Sequence, residues 1–327
     1  MFTDWKDYSQ NNGFDVEENV QMIYGTFDRE ITKPITLSTW QSQNSERKKE
    51  DYNHFNNLFD AILQDECHKA TAGSITSILE ACSDIGYRMG FTGSLKKSKT
   101  NKMQLEGLLG KVFKPITTRE LIDRGELANI DIKLIMLQYG KEVHKALKET
   151  KYQDQIQWIL NHSGRNKFII NLAATQKGNK LVLFHSEDHG KFLMKMCNEL
   201  YPDVQTFFIN GGIDTEDREI IRKKIEGLES SITFGSFGTV SQGWSVKNLH
   251  NLILAHPWKA PIKIIQSIGR VLRISKTKNS CNMFDICDII TKGKRDYLKR
   301  HAQERVEIYI SEDLIFKTFE IPIKTTI

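Results

Sequence analysis

The chain has 327 residues, enough for two domains with separate cores. At 39% hydrophobic and 27% charged residues it is not a disordered chain, and its net charge of +5 suits nucleic acid without requiring it. Five cysteines with no CxxC pair argue against a disulfide framework or a structural zinc site and fit a reducing cytosol. No apolar run is long enough to span a membrane, and the polar start MFTDWKDYSQNNGFD is unlike a secretory signal.

Residues 1–30 read as polar and irregular, with an apolar patch over 20–24. After Pro34, residues 35–40 read as a strand and its exit, and Tyr52, Phe55, Leu58 and Phe59 fall at helical spacing. A strand over 61–63 runs into Asp65-Glu66-Cys67-His68. Ile75, Ile78, Leu79 and Cys82 mark a helix, and 87–91 read as a strand ending at Thr92-Gly93-Ser94. Lys96, Lys97, Lys99 and Lys102 then suggest a basic loop. Thr117 and Glu120 have capping-box spacing for a helix over 118–124, with Gly125 as its stop.

A strand-like run over 131–138 puts the domain boundary near residue 130, giving domains 1–130 and 131–327. Charged helical sequence covers 141–161. Helices over 166–175, 188–200, 215–225 and 262–272 then alternate with strands over 181–184, 204–209, 231–234, 252–255 and 283–286. This alternation predicts an α/β protein whose mostly parallel sheet is covered on both faces. A basic helix over 292–305 and a strand-like tail around Leu314, Ile315 and Phe316 close the chain.

In open α/β sheets, ligands bind beyond the carboxyl ends of strands. Asp65 and Glu66 sit at such an end. Two adjacent carboxylates there are able to divide labour, one holding Mg²⁺ and the other orienting a water, although a solvated acidic turn has the same composition. On a helix, Arg270 and Arg273 share one face with Gln266, and two guanidinium forks aimed one way suit phosphate oxygens or carboxylates. Gly238 and Gly243 allow a backbone to approach phosphates closely, though a glycine-rich loop without a ligand reads alike. Trp40 serves equally well as a contact to a nucleic-acid strand or as a buried aromatic at a strand end.

The order of these stretches resembles the superfamily 2 helicases, and from about residue 35 onward the phage recombination and repair helicases among them. Asp65-Glu66-Cys67-His68 resembles their DExH motif, Thr92-Gly93-Ser94 their motif III and the stretch from Leu181 to Ser186 their motif IV. Residues 236–245 resemble motif V, and Gln266-Ser267-Ile268-Gly269-Arg270-Val271-Leu272-Arg273 resembles motif VI. The resemblance implies two RecA-like domains acting as an ATP-dependent DNA helicase or translocase on branched DNA or R-loops, in recombination, replication and repair.

By the same resemblance Asp65, with Glu66, holds Mg²⁺. Glu66 prepares the attacking water, and His68, Thr92, Gly93 and Ser94 couple the domains. Arg270 and Arg273, with Gln266, act as fingers on the ATP γ-phosphate, and Gly243 and Ser245 touch nucleotide. Many relatives carry an acidic residue where Ser245 stands. Thr39, Trp40, Gln41, Lys96, Lys97, Phe184, His185, Ser236 and Gly238 are expected along the nucleic acid, which includes RNA where R-loops are bound.

One departure stands out. No G-x-x-x-x-G-K-[ST] loop occurs, since Gly110-Lys111, Gly140-Lys141, Gly190-Lys191 and Gly293-Lys294 are each followed by the wrong residue. The expectation is a truncated or split helicase, its first domain lacking the N-terminal part, which in the split case a partner chain supplies. The alternative is a non-catalytic nucleic-acid-binding module that hydrolyses nothing alone.

Overall fold

The computed structural model describes residues 5, 6, 9, 12–25, 30–48, 58–93, 99–114, 116–241, 244, 246–259, 269, 278–290 and 296–323. Contacts divide the chain into Met1–Phe113 and Lys114–Ile327. This break falls earlier than the boundary expected near residue 130. The helix after it, Thr118–Asp123, is tied to the second unit: Ile122 joins that unit's core, and Thr118 Oγ1 donates to Glu312 Oε2 at 2.7 Å.

The first unit holds two small parallel sheets. Helix α1 (Val16–Asn19) leads into strand β1 (Val20–Met22), which pairs with β2 (Ile35–Leu37). The stretch read as irregular therefore contains short regular elements. Helix α2 (Trp40–Glu46) comes at once, capped by Thr39, whose hydroxyl accepts the Ser42 amide at 3.3 Å. Strand β3 (Ala61–Asp65) pairs in parallel with β4 (Tyr87–Phe91) through α3 (Gly73–Ala81), whose Ile75, Ile78 and Leu79 are buried. Helix α4 (Lys99–Leu109) corrects part of the basic loop expected there. Its first turn is polar, but Leu105 and Leu108, three apart, are buried against Ala70, Ile75 and Leu79.

The second unit is one seven-stranded sheet in the order β11-β5-β10-β9-β6-β8-β7, with every neighbouring pair parallel. Its strands are β5 (Asn129–Gln138), β6 (Asn179–Phe184), β7 (Thr206–Ile209), β8 (Ser231–Ser236), β9 (Leu249–Leu254), β10 (Ser280–Ile289) and β11 (Phe316–Pro322). The helices are α5 (Thr118–Asp123), α6 (Lys141–Leu147), α7 (Tyr152–Asn161), α8 (Ser163–Thr175), α9 (Glu187–Leu200), α10 (Thr215–Glu226), α11 (Phe237–Ser241) and α12 (Tyr297–Ser311). The expected capping box of α5 is present, with Thr117 and Glu120 bonded reciprocally. β6 is buried along its whole length, as a central strand covered on both faces must be. Its alternate residues feed two cores, Leu181 and Leu183 on one side and Val182 and Phe184 on the other. The helix expected over 262–272 and the one expected around residues 52–59 lie almost wholly outside the described residues. Among the described residues no helix is long and apolar enough to cross a membrane.

Gly178, just before β6, takes φ +76°, and a Cβ there would fall 2.5 Å from the His250 ring. Gly178→Ala combines backbone strain with a clash, so its urea midpoint should drop by the equivalent of at least about 1 kcal/mol. An unchanged midpoint would show that His250 moves aside freely.

Candidate functional site

In the first unit, β3 and β4 run side by side with Asp65 opposite Phe91, so the residues beyond both strands share one end of the sheet. Glu66 leaves β3 in a left-handed conformation, φ +50° and ψ +44°. For a residue with a Cβ this costs on the order of 1 kcal/mol. Its amide donates to Asp65 Oδ1 at 2.8 Å, so the aspartate braces the turn that its neighbour makes. The short 3₁₀ turn Cys67–Lys69 then tucks Cys67 into the core and brings His68 round. His68 Nδ1 lies 3.0 Å from Glu66 Oε2 and 2.9 Å from Thr92 Oγ1. One ring nitrogen thus links the acidic stretch to the stretch after β4.

Gly90, which the sequence reading passed over, makes this approach feasible. A Cβ on it would lie 2.8 Å from Cys67 Cβ and 2.7 Å from Leu109 Cδ1. A glycine inside a β-rich run was the available signal. Burial raises the Cys67 thiol pKa, and the nearby Glu66 and Asp65 add to the shift, so this cysteine is a packing residue rather than a nucleophile.

Among the described residues no cluster of three or more His, Cys, Asp and Glu side chains assembles around a common point. A cation held entirely by protein ligands does not fit here. Mg²⁺ does, because it keeps several waters and takes one or two carboxylates alongside phosphate oxygens. Asp65 is the exposed carboxylate at the strand end, with one oxygen engaged by the turn. Glu66 is engaged with His68, which suits a water-orienting role better than a metal ligand.

The remaining expected residues sort by exposure. Trp40 is 43% exposed in the first turn of α2, not buried at a strand end, and Gln41 beside it is exposed. Phe184 is wholly buried, stacked on Phe208 with ring centres 5.1 Å apart, so its side chain belongs to the core and not to a nucleic-acid contact. His185, the next residue, is exposed. The stretch expected as a glycine-rich loop begins as helix α11. Gly238 lies within it, and Ser236 Oγ and Thr239 Oγ1 stand 2.8 Å apart at its start. Among the described residues, a Cβ on Gly238 would meet nothing within 4 Å. Gly93 is exposed. Ser94, Lys96, Lys97, Gly243, Ser245, Gln266, Arg270 and Arg273 lie outside the described residues. Within the motif VI octet only Gly269 is described, as helical and exposed.

The sequence reading also missed a buried polar layer at the carboxyl ends of β6, β9 and β10. Arg165 on α8 forks onto Asp288 (Nε–Oδ1 2.7 Å, Nη2–Oδ2 3.0 Å), and Arg305 on α12 onto Asp285 (Nε–Oδ2 2.9 Å, Nη2–Oδ1 2.8 Å). Tyr139 and Tyr309 each donate a hydroxyl to one of these carboxylates, at 2.6 and 2.7 Å. Above them His256 packs between His185 and Trp258, with ring centres 5.0 and 5.1 Å away.

Residues 2–97 match the family described as "Type III restriction enzyme, res subunit". The ATP-dependent DNA helicase uvsW of Enterobacteria phage T4 is 34% identical over 304 residues, covering 88% of this chain and 59% of that protein. A probable helicase, D10, of Escherichia phage T5 is 25% identical, with 88% of this chain and 60% of that protein covered. The chain thus spans about 60% of the length of these relatives. Among solved structures, T4 UvsW matches at 30% identity with a TM-score of 0.52 over 97% of this chain and 64% of that one. A fragment of a putative HsdR subunit of a type I restriction enzyme from Vibrio vulnificus shares the fold, with a TM-score of 0.67 at 17% identity over 93% of this chain and 54% of that one.

Burial pushes the pKa of His189 down to about 3, with Arg165 adding to it. Burial, then the charges of His185, Arg165, His189 and Arg305, push His256 down to about 2. Both stay neutral in the folded chain while their unfolded forms take a proton near pH 6.5. Unfolding therefore takes up protons below that pH. The stability present above pH 6.5 should fall as pH drops from about 6.5 toward about 3. His256→Gln, which does not titrate, should flatten the decline in urea midpoint between pH 7.5 and pH 5. An equal slope in the variant would contradict a neutral buried His256.

Proposed function

We propose that the chain, similar to UvsW and with it to the superfamily 2 helicases, is part of a DNA-stimulated ATP motor in which Asp65 and Glu66 act on Mg²⁺ and water and the motif VI arginines act on the γ-phosphate. The observation that carries this reading is the His68 contact to both Glu66 and Thr92. It joins the carboxylate that would orient water to the stretch beyond the neighbouring strand. In this reading a change at the phosphate reaches the second segment through His68.

In this reading Asp65 would hold Mg²⁺. The ion, when bound, draws charge from the β- and γ-phosphate oxygens. Glu66 accepts a proton from, or orients, the attacking water, and His68 fixes the carboxylate that does so. Arg270 and Arg273 neutralise charge developing on the γ-phosphate; such fingers are worth on the order of 10³–10⁵ in rate. Exposed Trp40, Gln41 and His185 support contacts to a nucleic-acid backbone, with Thr39, Ser236, Gly238, Lys96 and Lys97 nearby in sequence. Backbone contacts carry little sequence information, so selection would rest on DNA shape. By resemblance to the phage recombination helicases, the substrate is branched DNA or an R-loop. Five free and buried cysteines support a reducing compartment such as the host cytoplasm.

A second reading has a specific ground. No G-x-x-x-x-G-K-[ST] loop occurs among the 327 residues, so nothing in them cradles the β- and γ-phosphates in the usual way. We therefore expect these residues alone to bind DNA and to turn over ATP negligibly. A polypeptide carrying that loop would complete the site.

Purified chain with forked or single-stranded DNA should show background ATP hydrolysis; robust turnover would overturn the dependence on a supplied loop. Once activity is restored by a loop-bearing polypeptide, Arg273→Ala should lower kcat by at least about 10³-fold. An unchanged rate would remove Arg273 from the site. DNA affinity should fall by about 10³-fold or more between 50 and 200 mM salt if six or more phosphates are contacted. A flat response would argue against backbone binding.

A further inference from the structure

The four residues after β9 (Ala255, His256, Pro257 and Trp258) are all buried, and their carbonyls are gripped from both sides of the sheet. Arg165 Nη2 donates to Ala255 O at 2.9 Å, and Arg305 Nη1 donates to Trp258 O at 3.0 Å. His301 Nδ1 lies 3.2 Å from Pro257 O. The Ala255 amide continues the ladder to Leu183 O at 3.1 Å. Arg165 Nη2 serves both Asp288 Oδ2 and Ala255 O, whereas Arg305 meets Asp285 through Nε and Nη2 and spends Nη1 on Trp258 O. Asp285 stands opposite Leu254, the last residue of β9, so the Arg305 clamp sits level with the point where the chain leaves the sheet.

Stability alone does not account for two such clamps. A buried ion pair is often no better than a well-packed apolar pair of the same volume. What the guanidinium adds is direction: a planar fork whose other nitrogens are fixed once the carboxylate is bound. Both arginines also keep their charge. Burial alone would lower their pKa, and the facing aspartates more than reverse this, leaving it raised.

We propose that Arg165 and Arg305 are positioning residues: through the carbonyls of Ala255 and Trp258 they fix the backbone from which the segment bearing Gln266, Arg270 and Arg273 departs. The proposal rests on the finger role given to those arginines above, and it adds two residues with no contact of their own to nucleotide. Clamps from helices on both sides resist displacement of the segment in either direction. A shift of even 1 Å at a reacting group is costly.

The test separates positioning from folding. Arg165→Met/Asp288→Leu/Tyr139→Phe replaces one clamp by apolar groups, which the fold should tolerate. Arg165→Lys keeps a cation beside Asp288 but loses the nitrogen that reaches Ala255. In hydrogen exchange on the full chain, both variants should speed exchange across residues 255–259 by at least about tenfold while β6 and β8 stay at the wild-type rate. Exchange unchanged at 255–259, or raised uniformly over all strands, would overturn the proposal. In ATP hydrolysis with a loop-bearing polypeptide present, both variants should lower kcat between about tenfold and a hundredfold, with KM for ATP within about threefold. A normal kcat together with local loosening would likewise overturn it. Because the exchange result needs no ATP chemistry, failure of the motor reading and failure of the clamp are told apart.

Discussion

A strand buried on both faces has no tolerance for an unmatched charge, and β10 carries two, at Asp285 and Asp288. Three positions apart on a strand, their side chains leave on opposite faces. Each must therefore find its own cation from a different layer, and each does, Asp288 from α8 and Asp285 from α12. Breaking such a pair by removing one partner costs about 3–5 kcal/mol, because the survivor is left charged in the interior. The seating of two helices, and through them of the segment after β9, stems from that requirement.

The first unit works by a different logic. Its two parallel sheets have two strands each, and its site is built from a strained turn and a close approach at the β3–β4 pair. Glu66 holds a left-handed backbone because Asp65 braces it and Cys67, the next residue, is anchored in the core. Gly90 leaves room for Cys67 to come close to β4. The strain sits beside the carboxylates, where an off-pattern conformation is a reasonable sign of chemistry. His68 then converts two neighbouring strand ends into one connected group.

Much of this was legible before any coordinates. Strands such as β6 and β8 are short apolar runs between amphipathic helices, and that alternation is the direct imprint of a parallel sheet. The capping box at Thr117 and Glu120 could be read from two letters, because its bonds are local. What failed was non-local. Phe184 looks the same whether it faces solvent or Phe208, and only the packing of α9 and β7 decides. Lys99 and Lys102 dominate the first turn of α4, hiding the Leu105 and Leu108 face that makes it a helix. Trp40 went the other way, exposed because the chain turns into a helix at Thr39. Arg165 and Arg305 read as ordinary basic residues, since their carboxylates lie 123 and 20 positions away. The motif VI arginines were legible only as a pattern, since Arg270 and Arg273 fall outside the described residues.

The strand order has a consequence for how the second unit is made. β5 comes first in sequence, yet both of its neighbours, β10 and β11, come last. Between Gln138 and Ser280 a ribosome adding about 5–20 residues per second spends on the order of ten seconds. Throughout that interval an apolar ten-residue strand has emerged with neither hydrogen-bonded neighbour available. A nascent chain in that state is a target for chaperones or for mispairing with another copy of itself. The sheet gains its β11 edge only when residues 316–322 arrive.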